Sequence, residues 1–365
     1  MSEATLFCVR CGKTTAIDLL RGGLCADCFL EERQFTTAPL TVDFEICSHC
    51  GARKKGEMWV DDVEGVTEGN VRQAVADNIT VKKDLKDSRI RVEMRQEDQH
   101  GKIYACTVTV TGVAEGLPVQ ETHELRARIK GATCLRCSRV HGNYYEGIVQ
   151  LRAENRDVSK EEMRTARQMA SRIIERIVRE GDRYAFVLKD EPMDGGLDIY
   201  VGTINTGRAI AKAFADEFGA RTKETAKMVG AKDGNTLYRL TFLVRLPEYR
   251  AGDLLIWKDV TYLVKSVTPK RTTLTHLRTG HQVTADRDDL ERAKVLSRAQ
   301  GKEAIVVSEQ GSDLQIMDPN TYATVTVIAP LGYVPGSETL LVAKWEDEWI
   351  PFPLPEALRV SADSE

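Results

Sequence analysis

Along most of this chain apolar and polar residues alternate one for one, the pattern of strands with one buried face. Arg89–Met94, Ile103–Thr111 and Val119–Ile129 alternate in this way around Gly101 and Gly116, and predict an antiparallel meander. Three stretches switch to helical spacing. Val71–Ile79 predicts a short helix following Thr67 and Asn70. Ser159-Lys160-Glu161-Glu162 has the form of a capping box. Behind it Met163, Ala166, Ala170, Ile173, Ile174 and Ile177 share one helix face, and Gly181 ends the run. A third helix after Asn205 would bury Ile210, Ala213, Phe214 and Phe218 and stop at Gly219.

Strands at Ile148–Leu151, Tyr184–Leu188 and Leu197–Val201 surround these helices, the last two joined at Asp194-Gly195-Gly196. Two more follow, around Met228 and over Leu237–Val244, with Asp233-Gly234 as a hairpin turn. The order is β-α-β-β-α-β, which predicts a ferredoxin-like domain over 147–246. From Pro247 the chain reads as all β. Leu254–Trp257, Tyr262–Val267, Arg271–Leu277 and Gln282–Thr284 suit a small barrel of the Src-homology-3 type over 247–292. Ala304–Val307, Leu314–Met317, Thr324–Ile328, Thr339–Ala343 and Trp349–Pro351 suit an OB-like barrel over 293–365, ahead of a polar tail after Pro355. The fold class is multidomain α+β, with Gly142–Gly147 and the region around Pro247 as candidate hinges.

Cysteine spacing decides what the first 146 residues are. Eight of the nine cysteines form four C-x-x-C pairs: Cys8/Cys11, Cys25/Cys28, Cys47/Cys50 and Cys134/Cys137. One tight turn aims two such thiolates at one ion, and two turns complete a tetrahedral S4 shell suited to Zn2+. Two zinc ions per chain are expected in a zinc-ribbon-like or treble-clef β domain whose turn-rich residues 1–56 have too small a core to hold shape without metal. Neighbouring pairs would share an ion, leaving Cys47/Cys50 to meet Cys134/Cys137 across a loop of ~80 residues, whose closure cost rises only logarithmically. A crossed pairing, first with third and second with fourth, stays open. His49 inside the third knuckle reads as a surface residue, and Cys106 as a small core residue on a strand.

The 365 residues allow several cores, and a net charge of -4 excludes a polycation, so any nucleic-acid contact must be local. Lys265, Lys270, Arg271 and Arg278, with His276 and His281, form one acid-free stretch that reads either as a phosphate contact or as a guarded strand edge. No apolar run suits a membrane span, no signal peptide opens the chain, and metal-type cysteines point to a reducing cytoplasm. The sequence has no P-loop, no strand-linked G-x-G-x-x-G, no HExxH and no nucleophile elbow. The six histidines show no ligand spacing, and the adjacent acids Asp61-Asp62 and Asp288-Asp289 read as turn residues. No catalytic role and no small-molecule substrate are expected. A zinc-dependent nuclease or dithiol oxidoreductase is one competing reading, and a zinc-ribbon transcription factor another.

The order of knuckles, mixed domain and tandem barrels resembles the nonsense-mediated mRNA decay protein 3 family in its archaeal form. Phe7-Cys8-Val9-Arg10-Cys11-Gly12, Leu24-Cys25-Ala26-Asp27-Cys28, Ile46-Cys47-Ser48-His49-Cys50 and Cys134-Leu135-Arg136-Cys137 carry the likeness. Gln150-Leu151-Arg152, Met193–Tyr200 and Leu314–Pro319 extend it. The resemblance implies a non-enzymatic assembly adapter on the large ribosomal subunit, occupying tRNA sites and touching rRNA and ribosomal proteins, with initiation factor six nearby. It implies that the two barrels together look like translation initiation factor five-A, though Tyr249–Asp253 offers no lysine for that factor's modification. Eukaryotic members carry a C-terminal export extension; the chain here stops at Glu365 after the last barrel, which fits a cytoplasm without a nucleus. The rRNA contacts expected are Arg10, Lys13, Arg53, Lys54, Lys55, Arg136, Arg139, Lys265, Lys270, Arg271 and Arg278.

Overall fold

The computed structural model describes residues 5–31, 33–61, 67–232 and 235–353. The Asp233-Gly234 turn, Asp62 and the tail beyond Pro353 lie outside them. Two compact units divide between Ser138 and Arg139, eight residues before the boundary at 146 expected from sequence.

The first unit holds β1 (Thr5–Phe7), β2 (Thr14–Ala16), α1 (Ala26–Glu31), β3 (Thr36–Thr37), β4 (Thr41–Cys47), β5 (Arg53–Lys55) and β6 (Met58–Val60). There follow α2 (Thr67–Asp77), β7 (Thr80–Val81), β8 (Lys86–Gln96), β9 (Ile103–Ala114) and β10 (Leu117–Ala132). α3 (Leu135–His141) crosses the division. The expected meander is present and extended into a six-stranded sheet of order β6-β5-β4-β10-β9-β8. α2 presses Val71, Ala74 and Val75, all at most 1% exposed, onto Val108, Val110 and Ala127 of the sheet. Cys106 is buried in the same cluster; burial raises its thiol pKa, as suits a core residue.

The second unit opens with β11 (Gly147–Ala153), α4 (Lys160–Arg179), β12 (Val187–Met193), β13 (Gly196–Val201), α5 (Ile204–Phe218), β14 (Arg221–Lys232) and β15 (Asn235–Leu246). Ser159 and Glu162 form the expected capping box at α4, and Gly219 ends α5 in the left-handed conformation. The sheet order is β12-β13-β11-β15-β14. This departs from the βαββαβ expectation. The chain makes two strands after α5, and the second of them, β15, lies parallel to β11, while β14 is pushed out to the edge. A ferredoxin-like sheet would put a single antiparallel strand there. The reason is length: twelve residues in β14 reach back along the sheet, so the returning β15 runs the same way as β11. β12 also starts later than expected and runs to Met193, because pairing propagates back from the tight turn at Gly195; its Pro192 is tolerated on an edge strand. Val149, Leu151, Ile199, Val201, Phe242 and Val244 bury one face under the helices.

Five strands follow: β16 (Leu254–Trp257), β17 (Val260–Val267), β18 (Arg271–His276), β19 (Gln282–Asp286) and β20 (Lys294–Leu296), in order β19-β18-β17-β16-β20. β20 belongs here by pairing with β16, so this sheet runs past the expected end at 292. The last five are β21 (Lys302–Gln310), β22 (Asp313–Met317), β23 (Thr324–Ile328), β24 (Thr339–Trp345) and β25 (Glu348–Pro351), in order β23-β22-β21-β24-β25 with the two outer strands in contact. Leu254, Leu263 and Leu296 of one sheet pack on Ala343 and Phe352 of the next.

The region around Pro247, expected as a hinge, is instead pinned. Arg156 donates to the carbonyls of Pro247 (3.0 Å) and Glu248 (2.8 Å) and to Glu162, and Arg250 meets the same carboxylate at 3.0 Å. Arg287, 4% exposed, donates to the carbonyl of Gly219 at 2.9 Å and to Glu154 at 3.0 Å. These side chains are far apart in sequence, so the hinge reading had only the proline to go on.

Candidate metal centres

Two tetrahedra of sulfur sit in the first unit and at its end. Cys8, Cys11, Cys25 and Cys28 form one, Cys47, Cys50, Cys134 and Cys137 the other, with all four sulfurs of each within 4.8 Å of one another. Neighbouring pairs therefore share the first centre, and the crossed pairing is excluded. Cys11 and Cys25 sulfurs are 3.7 Å apart, Cys50 and Cys134 sulfurs 3.6 Å. A tetrahedron with zinc–sulfur arms of about 2.3 Å has edges of about 3.8 Å, and a disulfide would need about 2.05 Å. The donor sets fit Zn2+, and each group can hold one ion with no coordination position left over.

The two centres are built alike. The first half of each is a turn: Gly12 N–H donates to Cys8 carbonyl and Gly51 N–H to Cys47 carbonyl, both at 2.9 Å. Those glycines have φ of +75° and +77°, the left-handed region where a side chain is strained. The second half is the start of a short helix, α1 behind Cys25 and α3 behind Cys134, with Phe29 N–H and Ser138 N–H closing on the carbonyls of those cysteines at 2.9 Å. Cys11 and Cys50 are exposed, and the other six ligands are buried.

How residues so far apart in sequence meet at the second centre follows from strand register. β4 and β10 run parallel, with Cys47 opposite Ala132, so both chain segments leave the sheet at the same end. Ser48 N–H donates to Ala132 carbonyl (2.9 Å) and Cys134 N–H to the Cys47 sulfur (3.3 Å). Asn70, 4% exposed on α2, donates to Gly51 carbonyl at 3.0 Å and holds the knuckle from behind. Sequence reasoning missed Asn70, which it took for a helix-start residue.

Electrostatics favour charged ligands unevenly. Backbone N–H groups of Cys25 and Cys11 hold the Cys8 thiol down at about 6. At Cys47 burial opposes ionisation, but the N–H groups of Cys134, Cys50 and His49 outweigh it and the thiol again lies at about 6. Cys28 and Cys137 are pushed up, chiefly by burial, with neighbouring thiols adding to it. Cys50 is raised as well, chiefly by burial, so each centre offers one sulfur ready to ionise, and a metal must displace a proton from Cys28 at the first and from Cys50 and Cys137 at the second.

The basic residues named from sequence are dispersed, and many face carboxylates. Arg10 reaches Glu31 (3.2 Å) and the Cys28 carbonyl, and Lys13 meets Asp27 at 3.0 Å, clipping the first knuckle to α1. Arg53 is buried against Asp77 at 3.0 Å, Lys55 shares that carboxylate at 3.2 Å, and Lys54 pairs with Glu45. Arg139 pairs with Glu146 and lies over the Tyr144 ring, and Arg136 is half-buried. On the first barrel Arg271 pairs with Asp286 at 3.2 Å, Lys265 is half-buried, and Lys270 and Arg278 are exposed. His276 organises its own turn: its Nδ1 accepts from Arg278 N–H and Thr279 N–H, both at 3.1 Å. His49 is exposed. Among the described residues no helix is long and apolar enough to cross a membrane.

Comparison with known proteins adds two family matches: residues 8–142 match the model described as NMD3, N-terminal domain, and residues 144–246 that described as NMD3, second domain. Curated protein sequences yield no match. Among solved structures, eukaryotic translation initiation factor 5A from Methanococcus jannaschii aligns at 13% identity and a TM-score of 0.21, covering 36% of this chain and 96% of that one. The extracellular cadherin domains of protocadherin gamma B7 align at 8% identity and a TM-score of 0.14, over 87% of this chain and 75% of that one. The human desmocollin-1 ectodomain does so at 11% and 0.14, over 84% and 55%.

Proposed function

The chain belongs to the NMD3 family, whose two domain models span more than half of it, and from that premise we propose that it is a non-enzymatic adapter of the large ribosomal subunit, acting late in that subunit's assembly. The observation that carries the reading is the pair of family domains, the first of which spans both closed four-sulfur centres. A catalytic zinc keeps an open position, and four thiolates per ion leave none, which speaks against the nuclease. The centres then serve as folding staples for a docking head.

Finer assignments belong to the same proposal. A turn-plus-helix zinc site is treble-clef-like. The order β23-β22-β21-β24-β25 with its ends together supports an OB-like barrel, and the meander β16–β19 closed by β20 supports a Src-homology-3-like one. Contact with rRNA falls to Lys270, Arg278 and Arg136 first, then to Lys265, and then to Arg10, Lys13, Lys54, Lys55, Arg139 and Arg271, which face carboxylates. Arg53 is buried in its ion pair with Asp77 and contributes by tying the strand after the third knuckle to α2. Partners are rRNA, ribosomal proteins and a factor-six-like neighbour in an archaeal cytoplasm.

Gradient cosedimentation with free large and small subunits over a salt series tests this. Binding to large subunits alone, weakening steeply with salt as counterions are displaced, is expected. Binding to small subunits, or to RNA polymerase in preference to ribosomes, would contradict it.

A further inference from the structure

The first sheet of the second unit has one face under α4 and α5 and another that no helix among that unit's described residues covers. Register places on this second face Lys189 beside Tyr200, Tyr200 beside Ile148, Ile148 beside Thr241 and Thr241 beside Thr225, a row that crosses all five strands. Four strand spacings make this row about 19 Å wide. Arg152, Lys189, Lys223, Lys227, Arg239 and Arg245 lie on the face by the same registers. Among the described residues of its strands the carboxylates on this face are Asp198 and Glu191, and both are engaged within it: Asp198 accepts from Arg152 (2.7 Å) and Gln150 (3.0 Å), Glu191 from Lys189 (2.7 Å). Lys223, Lys227 and Arg245 are exposed.

Two tyrosines stand among these cations. Tyr145, just before β11, and Tyr200 on β13 meet edge to face, with centroids 5.0 Å apart and planes at 85°. The Arg239 guanidinium lies 4.0 Å over Tyr145, and the Lys189 ammonium 4.6 Å over Tyr200. Both rings are half-buried, so each is held in place while keeping part of its surface in solvent. Fixed aromatic rings on an open sheet, flanked by lysine and arginine, match unpaired bases and their phosphates; a duplex hides its ring faces in its own stack.

We propose that this open sheet face binds single-stranded RNA, with Tyr145 and Tyr200 stacking on bases and Lys189, Arg239, Lys223 and Lys227 meeting phosphates. The proposal rests on the reading of the chain as an RNA-contacting adapter and gives it a specific seat. Fluorescence anisotropy with the full zinc-loaded chain tests it, using a labelled short single-stranded RNA of mixed sequence, its duplex, and polyglutamate as competitor. The single strand is expected to bind more tightly than the duplex. Tyr200→Ala weakens it about tenfold, and Tyr200→Phe, which keeps the ring, binds like the native chain. Lys223→Glu with Lys227→Glu, both on an exposed edge strand where folding is insensitive to them, lowers the slope of log affinity against log salt by about two. Unchanged affinity in Tyr200→Ala and the double lysine variant, equal binding of the duplex, or displacement by polyglutamate as readily as by RNA would overturn it, the last in favour of an acidic protein. Native-chain cosedimentation with large subunits keeps the two readings apart: its loss defeats the adapter reading, whereas indifference of single-stranded RNA to these substitutions defeats the sheet face alone.

Discussion

Single residues set the geometry of both metal centres. At Gly51 an added Cβ would meet nothing within 4 Å, so Gly51→Ala isolates the backbone cost of a left-handed residue, about 1–2 kcal/mol. Zinc affinity at the second centre should fall roughly tenfold in a competition titration with a chromophoric chelator. Unaltered affinity would show that the turn does not set the site. Asp318 makes a second residue-scale case. The Trp349 indole N–H, at 2.9 Å, and the backbone N–H groups of Asn320 and Thr321 hold its carboxyl at about 2, below the ordinary 3.8. Its folded-state pKa is depressed, so its stabilisation is complete above about pH 4 and is lost as pH falls towards 2. Acid titration of the melting temperature should show that loss, and Asp318→Asn should be less stable at neutral pH and flatter through the acid window. At this scale the cysteines were readable because C-x-x-C spacing is itself the chelate geometry. Asn70, Asp77 and the carboxylates facing Arg10, Lys13 and Arg271 were not, because each lies on another element and only folding brings it near.

At the scale of elements, alternation told strand from helix well, since a side-chain period of two belongs to one strand alone. Neighbours are another matter. Nothing local in Thr41–Cys47 announces a parallel partnership with β10, yet that pairing delivers Cys47 to Cys134. Nothing local distinguishes β14 from β15 as the partner of β11, and the choice decides both the departure from a ferredoxin-like sheet and the residues on its open face. Buried arginines then fasten the second unit internally. Arg287→Met removes donors from the Gly219 carbonyl and Glu154 and should cost about 2–3 kcal/mol, as charged hydrogen bonds of this kind do. Urea unfolding monitored by tryptophan fluorescence in a Trp59→Phe background reads this, because the other three tryptophans, Trp257, Trp345 and Trp349, lie beyond Leu246. A midpoint unchanged by the substitution would mean that the barrel and the mixed sheet do not lean on that side chain.

For the molecule as a whole, a charge of -4 disguises local basic surfaces, and under the proposed reading those surfaces are the ones that meet rRNA. The eight sulfurs explain how the turn-rich knuckles hold shape: structural zinc supplies on the order of 10–16 kcal/mol to small metal domains. The most direct test is elemental analysis of the purified folded chain together with a variant carrying Cys47→Ser and Cys50→Ser. Two zinc ions per chain are expected in the native protein and one in the variant, whose residues 41–137 should lose amide protection while the first centre keeps its ion. A folded chain without zinc, or a variant that stays fully protected in that segment, would contradict the claim that these ions hold the head together.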